Sequence, residues 1–119
     1  MMDDILTTAQ KIEFKIEDIE NMAGKLEQAA LEKSTTLADY DRAIAVTTLQ
    51  LRNGVIREFE GQKIDNLPAT LIPLIAKGIC YKEAFDKEMG ETGYKSLTTK
   101  IDAHKAVLNG LQSINKVIQ

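Results

Sequence analysis

Along the first third of the chain, apolar residues recur at Ile5, Ala9, Ile12, Ile16, Ile19, Ala23, Leu26 and Ala30, with gaps that alternate between four and three. A mean spacing of about 3.5 residues keeps an apolar stripe turned toward a partner helix along its whole length. Ile5, Ile12, Ile19 and Leu26 form one heptad column, and Ala9, Ile16, Ala23 and Ala30 form the other. A large column beside a mostly small one lets the facing helix come close. The pattern predicts a helix from Asp3 to about Lys33, with Asp3 and Asp4 in the first turn, where their charge suits the positive end of the helix dipole. At ~1.5 Å per residue this helix is about 45 Å long.

Ser34-Thr35-Thr36 interrupts the stripe, and Thr36 with Asp39 reads as a variant capping box that starts a second helix. Leu37, Tyr40, Ile44, Thr47 and Leu51 fall on one face of it, and Asn53-Gly54 is the expected stop. A rival reading places a β-hairpin turn at Asn53-Gly54, because Val46, Thr47, Thr48 and Val55-Ile56 favour strand. From Gly54 to Pro68 the chain reads as irregular or short-stranded, with turns at Gly61 and Asp65-Asn66. Thr70 is the expected cap of a short third helix, Pro73 to Lys77, whose first turn holds Pro73 and whose stop or kink is Gly78. The last helix is predicted from about Tyr81 to Val117. Its stripe is Gly90, Tyr94, Leu97, Ile101, His104, Leu108, Leu111 and Asn115, and Val107 and Ile114 widen it. Gly90 and Gly93 mark either a close crossing or a break near residue 92.

The fold class is therefore all-α: an antiparallel pair of long helices, first against last, with shorter central helices and a short β-hairpin near 47–60 as the rival local reading. Residues 1–119 are read as a single helical domain. Two helices bury only one face of each, so a homodimer or higher homo-oligomer is expected.

Composition narrows the function more than the fold. The 119 residues are 44% apolar, with three Tyr, three Phe and no Trp, which suits a core of Ile, Leu and Ala. The net charge of −3 argues against a general nucleic-acid coat, which needs clustered Lys and Arg. Residues 1–33 carry eight acids and four bases, whereas residues 34–119 carry ten and eleven, so any basic surface belongs to the later part. One cysteine, Cys80, permits no intramolecular disulfide. The acidic start lacks a signal-peptide core and no apolar run approaches the ~20 residues of a membrane span, so a cytoplasmic protein is expected, with no membrane partner.

Candidate chemistry is sparse. His104 lies on the apolar stripe, and Lys100, Ile101, Val107 and Leu108 at helical spacing from it are not metal ligands, so it reads as a buried or edge-of-core residue, with the fixing of helix register or partner number as the other reading. Cys80 beside Lys82 has no triad pattern and reads as a small core residue. Asn115 reads as exposed near the helix end. The acids Glu13, Glu17, Asp18 and Glu20 could imitate a phosphate backbone, but they alternate with Lys11, Lys15 and Lys25 as on a solvated face. Arg52, Asn53, Arg57, Phe59 and Lys63 form the best candidate binding patch, because cations with an aromatic on a loop can hold nucleic acid or a phosphorylated ligand. No glycine-rich phosphate loop and no cofactor motif is present.

From Tyr40 to Asn115 the chain resembles small, mostly uncharacterised helical proteins of phages and prophages of low-GC Gram-positive bacteria. The resemblance rests on Asp39-Tyr40-Asp41-Arg42-Ala43-Ile44-Ala45, Leu51-Arg52-Asn53-Gly54, Pro68-Ala69-Thr70, Ile75-Ala76-Lys77-Gly78-Ile79-Cys80 and the run from Leu108 to Asn115. It covers about two-thirds of the chain, and Pro73 departs from the pattern. It implies a phage accessory protein, often encoded near replication and recombination genes, and it supplies no catalytic residues.

The expectation is a non-enzymatic interaction protein, without cofactor or metal, that binds a host or phage protein as a host-defence inhibitor or a replication and recombination adaptor. One alternative is a DNA-binding accessory protein using Arg52, Arg57 and Lys63 with Lys95, Lys100, Lys105 and Lys116. Another is an oligomeric sponge that sequesters a nucleotide signal, lined by His104, Tyr94 and Arg52.

Overall fold

A computed structural model describes residues 2–118, and of residues 2–6 the backbone alone, so the roles of Asp3, Asp4 and Ile5 lie outside the described side chains. Helix α1 spans Met2–Arg52, followed by strands β1 (Glu58–Phe59) and β2 (Gln62–Lys63), helix α2 (Ile72–Ile79) and helix α3 (Tyr81–Ile118). The long first and last helices pack against each other, as the seams require. The chain divides into two compact units, Met1–Leu31 with Thr92–Gln119, and Glu32–Glu91.

The expected break at Ser34-Thr35-Thr36 does not occur: α1 is one helix of 51 residues. Thr36 does not cap a second helix. Its hydroxyl donates back to the carbonyls of Glu32 at 2.9 Å and Lys33 at 3.2 Å, so its polarity is absorbed inside the helix. Neither proline nor glycine stands between Lys25 and Asn53, so nothing forces a stop. The end is where Asn53-Gly54 predicts it. Gly54 takes φ +70°, and its N–H donates to Leu51 O at 3.3 Å while Val55 N–H donates to Gln50 O at 2.9 Å, the paired bonds of a Schellman cap. The hairpin expected near 47–60 therefore does not turn at Asn53-Gly54. A hairpin does form later, where Glu58 pairs with Lys63 and Phe59 with Gln62. Its turn residues Glu60 and Gly61 have φ of 52° and 77°, as a type I′ turn requires.

In the unit Met1–Leu31 with Thr92–Gln119, the seam of α3 is as expected: Leu97, His104, Leu108 and Leu111 are half-buried and Ile101 is buried. On α1 one column is displaced. Ile12, Ile19 and Leu26 face inward, but they are joined by Thr8, Lys15, Met22 and Ala29; of the expected second column Ala30 is half-buried, whereas Ala9, Ile16 and Ala23 stay exposed. The displacement costs little, because two of the exposed residues are alanines. Met22 and the methylene stem of Lys15 cover the seam in their place. Lys15 Nζ donates to His104 Nδ1 at 3.1 Å, which gives the histidine a polar partner at the edge of the seam. Asn115, expected to be exposed, is half-buried, and its Oδ1 has no hydrogen-bond partner among the described residues.

In the unit Glu32–Glu91, α1 and α3 approach closely at Gly90, where α3 continues without a break. A Cβ there would lie 2.6 Å from Thr36 Oγ1 and 3.3 Å from Lys33 Cα. Farther along, Lys87 Nζ sits 4.8 Å from the centroid of the Tyr40 ring, a cation–π contact. The buried cluster is Leu51, Ile72 and Ala76, against which Ile44, Ile56, Ile64, Leu67, Ile75 and Ile79 pack. Helix α2 begins after Leu71, not after a Thr70 cap, and makes no side-chain cap bond. Pro73 lies in its first turn, as expected, while the helix runs one residue past Gly78, to Ile79, before its cap at Cys80.

Gly90 and Gly93 provide a matched test. An alanine gains up to ~1 kcal/mol over glycine in a helix interior, and at Gly93 nothing lies within 4 Å of the added methyl. Gly93→Ala should therefore raise the free energy of unfolding by ~0.5–1 kcal/mol. At Gly90 the methyl meets Thr36 and backbone, and overpacking of this kind costs ~1–3 kcal/mol, so Gly90→Ala should lower stability. Urea denaturation of the two variants decides the point; equal effects would mean that the helices do not touch at Gly90.

Candidate functional site: the cleft beside the hairpin

The turn chemistry that closes α1 also opens a cleft. After the Schellman cap the chain leaves through Val55 and Ile56, runs out and back through the hairpin, and turns again at Asn66, whose φ is +56°. Asn tolerates this left-handed conformation better than most residues. Between the end of α1, the 64–69 loop and the start of α2 lies a cleft of about 790 Å³. Leu51, Ile56, Ile64, Leu67 and Ile72 give it an apolar floor, and Arg52, Arg57 and Asp65 are its charged residues. Arg57 is held in place: its Nε donates to Gly54 O at 2.9 Å, which ties the guanidinium to the cap.

The structure thus brings together two of the five residues of the sequence-derived patch. Arg52 and Arg57 line the cleft; Asn53, Phe59 and Lys63 do not. Asn53 is exposed and its backbone N–H donates to Leu49 O at 2.9 Å, in the last turn of the helix. Lys63 is exposed on β2. Phe59 is half-buried, and its ring lies over Gly78: a Cβ on that glycine would be 2.8 Å from Phe59 Cζ. The tip of the aromatic ring thus meets α2 at Gly78, which makes Phe59 an anchor of the hairpin. Sequence reasoning did not pick out Ile56, Ile64 and Leu67 as the floor. Their signal was present as apolar residues inside a polar loop, but only the position of the turns shows that they converge.

The lining combines an apolar floor with two arginines and one aspartate. The thiol of Cys80 is buried and lies 3.3 Å from Thr47 Oγ1, inside the unit Glu32–Glu91. His104 lies in the other unit with Lys15 as its partner. Lys95, Lys100, Lys105 and Lys116 are all exposed; their sequence spacing spreads them around α3. Among the described residues no helix is long and apolar enough to cross a membrane.

The seating of Phe59 on Gly78 is testable. Phe59→Ala should destabilise the protein by ~2–4 kcal/mol through lost packing, and Gly78→Ala should also destabilise it by pushing against the ring. Because the two side chains occupy one space, the double variant should be less destabilised than the sum of the single ones; strict additivity in denaturation would show that the ring is not on the glycine. Comparison with protein-family models, with curated proteins and with solved structures returns no match for this chain.

Proposed function

We propose that this chain is a non-enzymatic, phage- or prophage-encoded interaction protein that acts by binding a host or phage protein. The observation that carries the reading is the imbalance between buried and exposed apolar side chains. Among the described residues only Leu51, Ile72, Ala76, Cys80 and Ile101 are buried apolar residues, and no large side chain is fully buried. Meanwhile Leu74, Tyr81, Phe85 and Met89 are 64%, 74%, 63% and 56% exposed. Tyr81, Phe85 and Met89 are spaced by four, so they share one face of α3. Glu83, Ala84, Lys87 and Gly90, on another face of the same helix, are buried or half-buried. A ridge with two aromatics and a methionine in water is a large apolar patch, and such patches mark sites of protein association. The cleft with Arg52 and Arg57 adds two cations in the same unit, which suits a partner segment that combines acidic and apolar residues. The phage origin rests on the resemblance of the Tyr40–Asn115 stretch, and a defence inhibitor and a recombination adaptor both fit a protein that works by occupancy.

A tagged pull-down from a low-GC Gram-positive host, at low and moderate salt and with nuclease treatment, tests the reading. The expected result is a stoichiometric protein that survives nuclease and is lost, by at least ~10-fold, with Phe85→Glu. Arg52→Glu should weaken capture less and in a salt-dependent way. Recovery of nucleic acid alone, abolished by nuclease, would replace this reading with the DNA-binding one.

A further inference from the structure

A second apolar surface lies on the flank of the unit Met1–Leu31 with Thr92–Gln119. A groove of about 320 Å³ runs between α1 and α3, lined by Lys11, Phe14, Lys15, Asp18, Val107 and Leu111. Phe14 is 64% exposed, Val107 49%, and Ile114, one heptad beyond Val107, 52%. From this flank we infer that a second copy of the chain docks here across a two-fold axis beside Phe14 and Lys15.

The charge pattern selects that occupant. Lys11 and Asp18 are seven residues apart and so lie in one column of α1, two turns from each other. They carry opposite signs, and their midpoint falls between Phe14 and Lys15. When a second copy lays its α1 antiparallel over the same flank, each Lys11 meets the other copy's Asp18, and the two contacts are equivalent by symmetry. Each Phe14 then enters the groove beside Val107 and Leu111 of the other copy. This is the self-complementary arrangement of a two-fold interface, in which residue i meets j and j meets i. A parallel arrangement would set Lys11 against Lys11 and Asp18 against Asp18, which like-charge repulsion disfavours. An aromatic anchor flanked by mixed charge, with more apolar surface from Val107 and Ile114, is the composition of an interface centre with its rim. The inference is independent of the capture of a foreign protein through Phe85.

Sedimentation equilibrium of the full chain from ~1 to ~200 µM, with circular dichroism as the check on folding, tests it. The expected result is a monomer–dimer equilibrium whose dissociation constant rises at least ~10-fold in Phe14→Asp, without loss of helix. Lys11→Asp and Asp18→Lys should each weaken the dimer, and the double exchange Lys11→Asp/Asp18→Lys should restore it. Residues seven apart on one helix do not touch, so rescue requires the contact between copies. A chain that stays monomeric throughout, a dimer indifferent to Phe14→Asp, or a double exchange that fails to rescue would overturn the inference. If the purified chain is monomeric and Phe14→Asp abolishes capture of the host protein, the flank belongs to that protein instead. A monomer that still captures its partner leaves the proposed function standing, and a dimer that captures nothing removes the proposed function alone.

Discussion

A single helix of 51 residues buries nothing by itself, and every other feature of this protein answers that constraint. Helical hydrogen bonds close within the helix, but a lone helix leaves its side chains in water, and most helical stability in proteins comes from packing an apolar face. The seam therefore has to be matched by a second helix of comparable length, and α3 with 38 residues supplies it. The spacing of ~3.5 residues is what lets the match persist over many turns, since a straight run of 3.6 would drift off the contact. At one close approach of the helices the sequence removes the side chain: Gly90 stands against the backbone of Lys33. Where polar residues sit on the seam, most find partners within it, as Lys15 does in His104, Thr47 in Cys80 and Lys87 in the ring of Tyr40.

The legibility of these features follows their range. The α3 seam could be read residue by residue, because its alternating gaps admit one face. The end of α1 was legible from Asn53-Gly54, since the Schellman cap is a local device with a local signature. The continuity of α1 through Thr36 was not, because a threonine hydroxyl serves a cap or bonds back to the preceding turn with equal chemical ease. The rest of the chain decides which. The choice between the Ala9–Ile16–Ala23 column and the Thr8–Lys15–Met22 column was hidden for the same reason: both flank Ile12, Ile19 and Leu26, and only the facing helix selects one. In the candidate site the two arginines could be found as charges near a turn. The turn at Gly61 was legible as a local signal, but the apolar floor and the commitment of Phe59 to Gly78 depend on where the hairpin then leads, which no local residue states.

A two-helix architecture also explains why so much apolar surface remains in water. Each helix can offer one face to the other, and a stripe wider than that face has nowhere to go within the chain. Val107 and Ile114 widen the α3 stripe on one side, and the opposite face of its first turns carries Tyr81, Phe85 and Met89. In the unit Glu32–Glu91 the segment between the long helices covers part of this excess by folding the hairpin and α2 over Leu51 and Ile72. Among the described residues, Met1–Leu31 with Thr92–Gln119 holds only parts of α1 and α3. Its apolar flank is left to whatever lies outside the chain, and the placing of Lys11 and Asp18 two turns apart on either side of Phe14 is the one feature there that favours a particular answer. An interface built on symmetry needs only half its contacts to be specified in sequence, which is how so small a flank can still define an orientation.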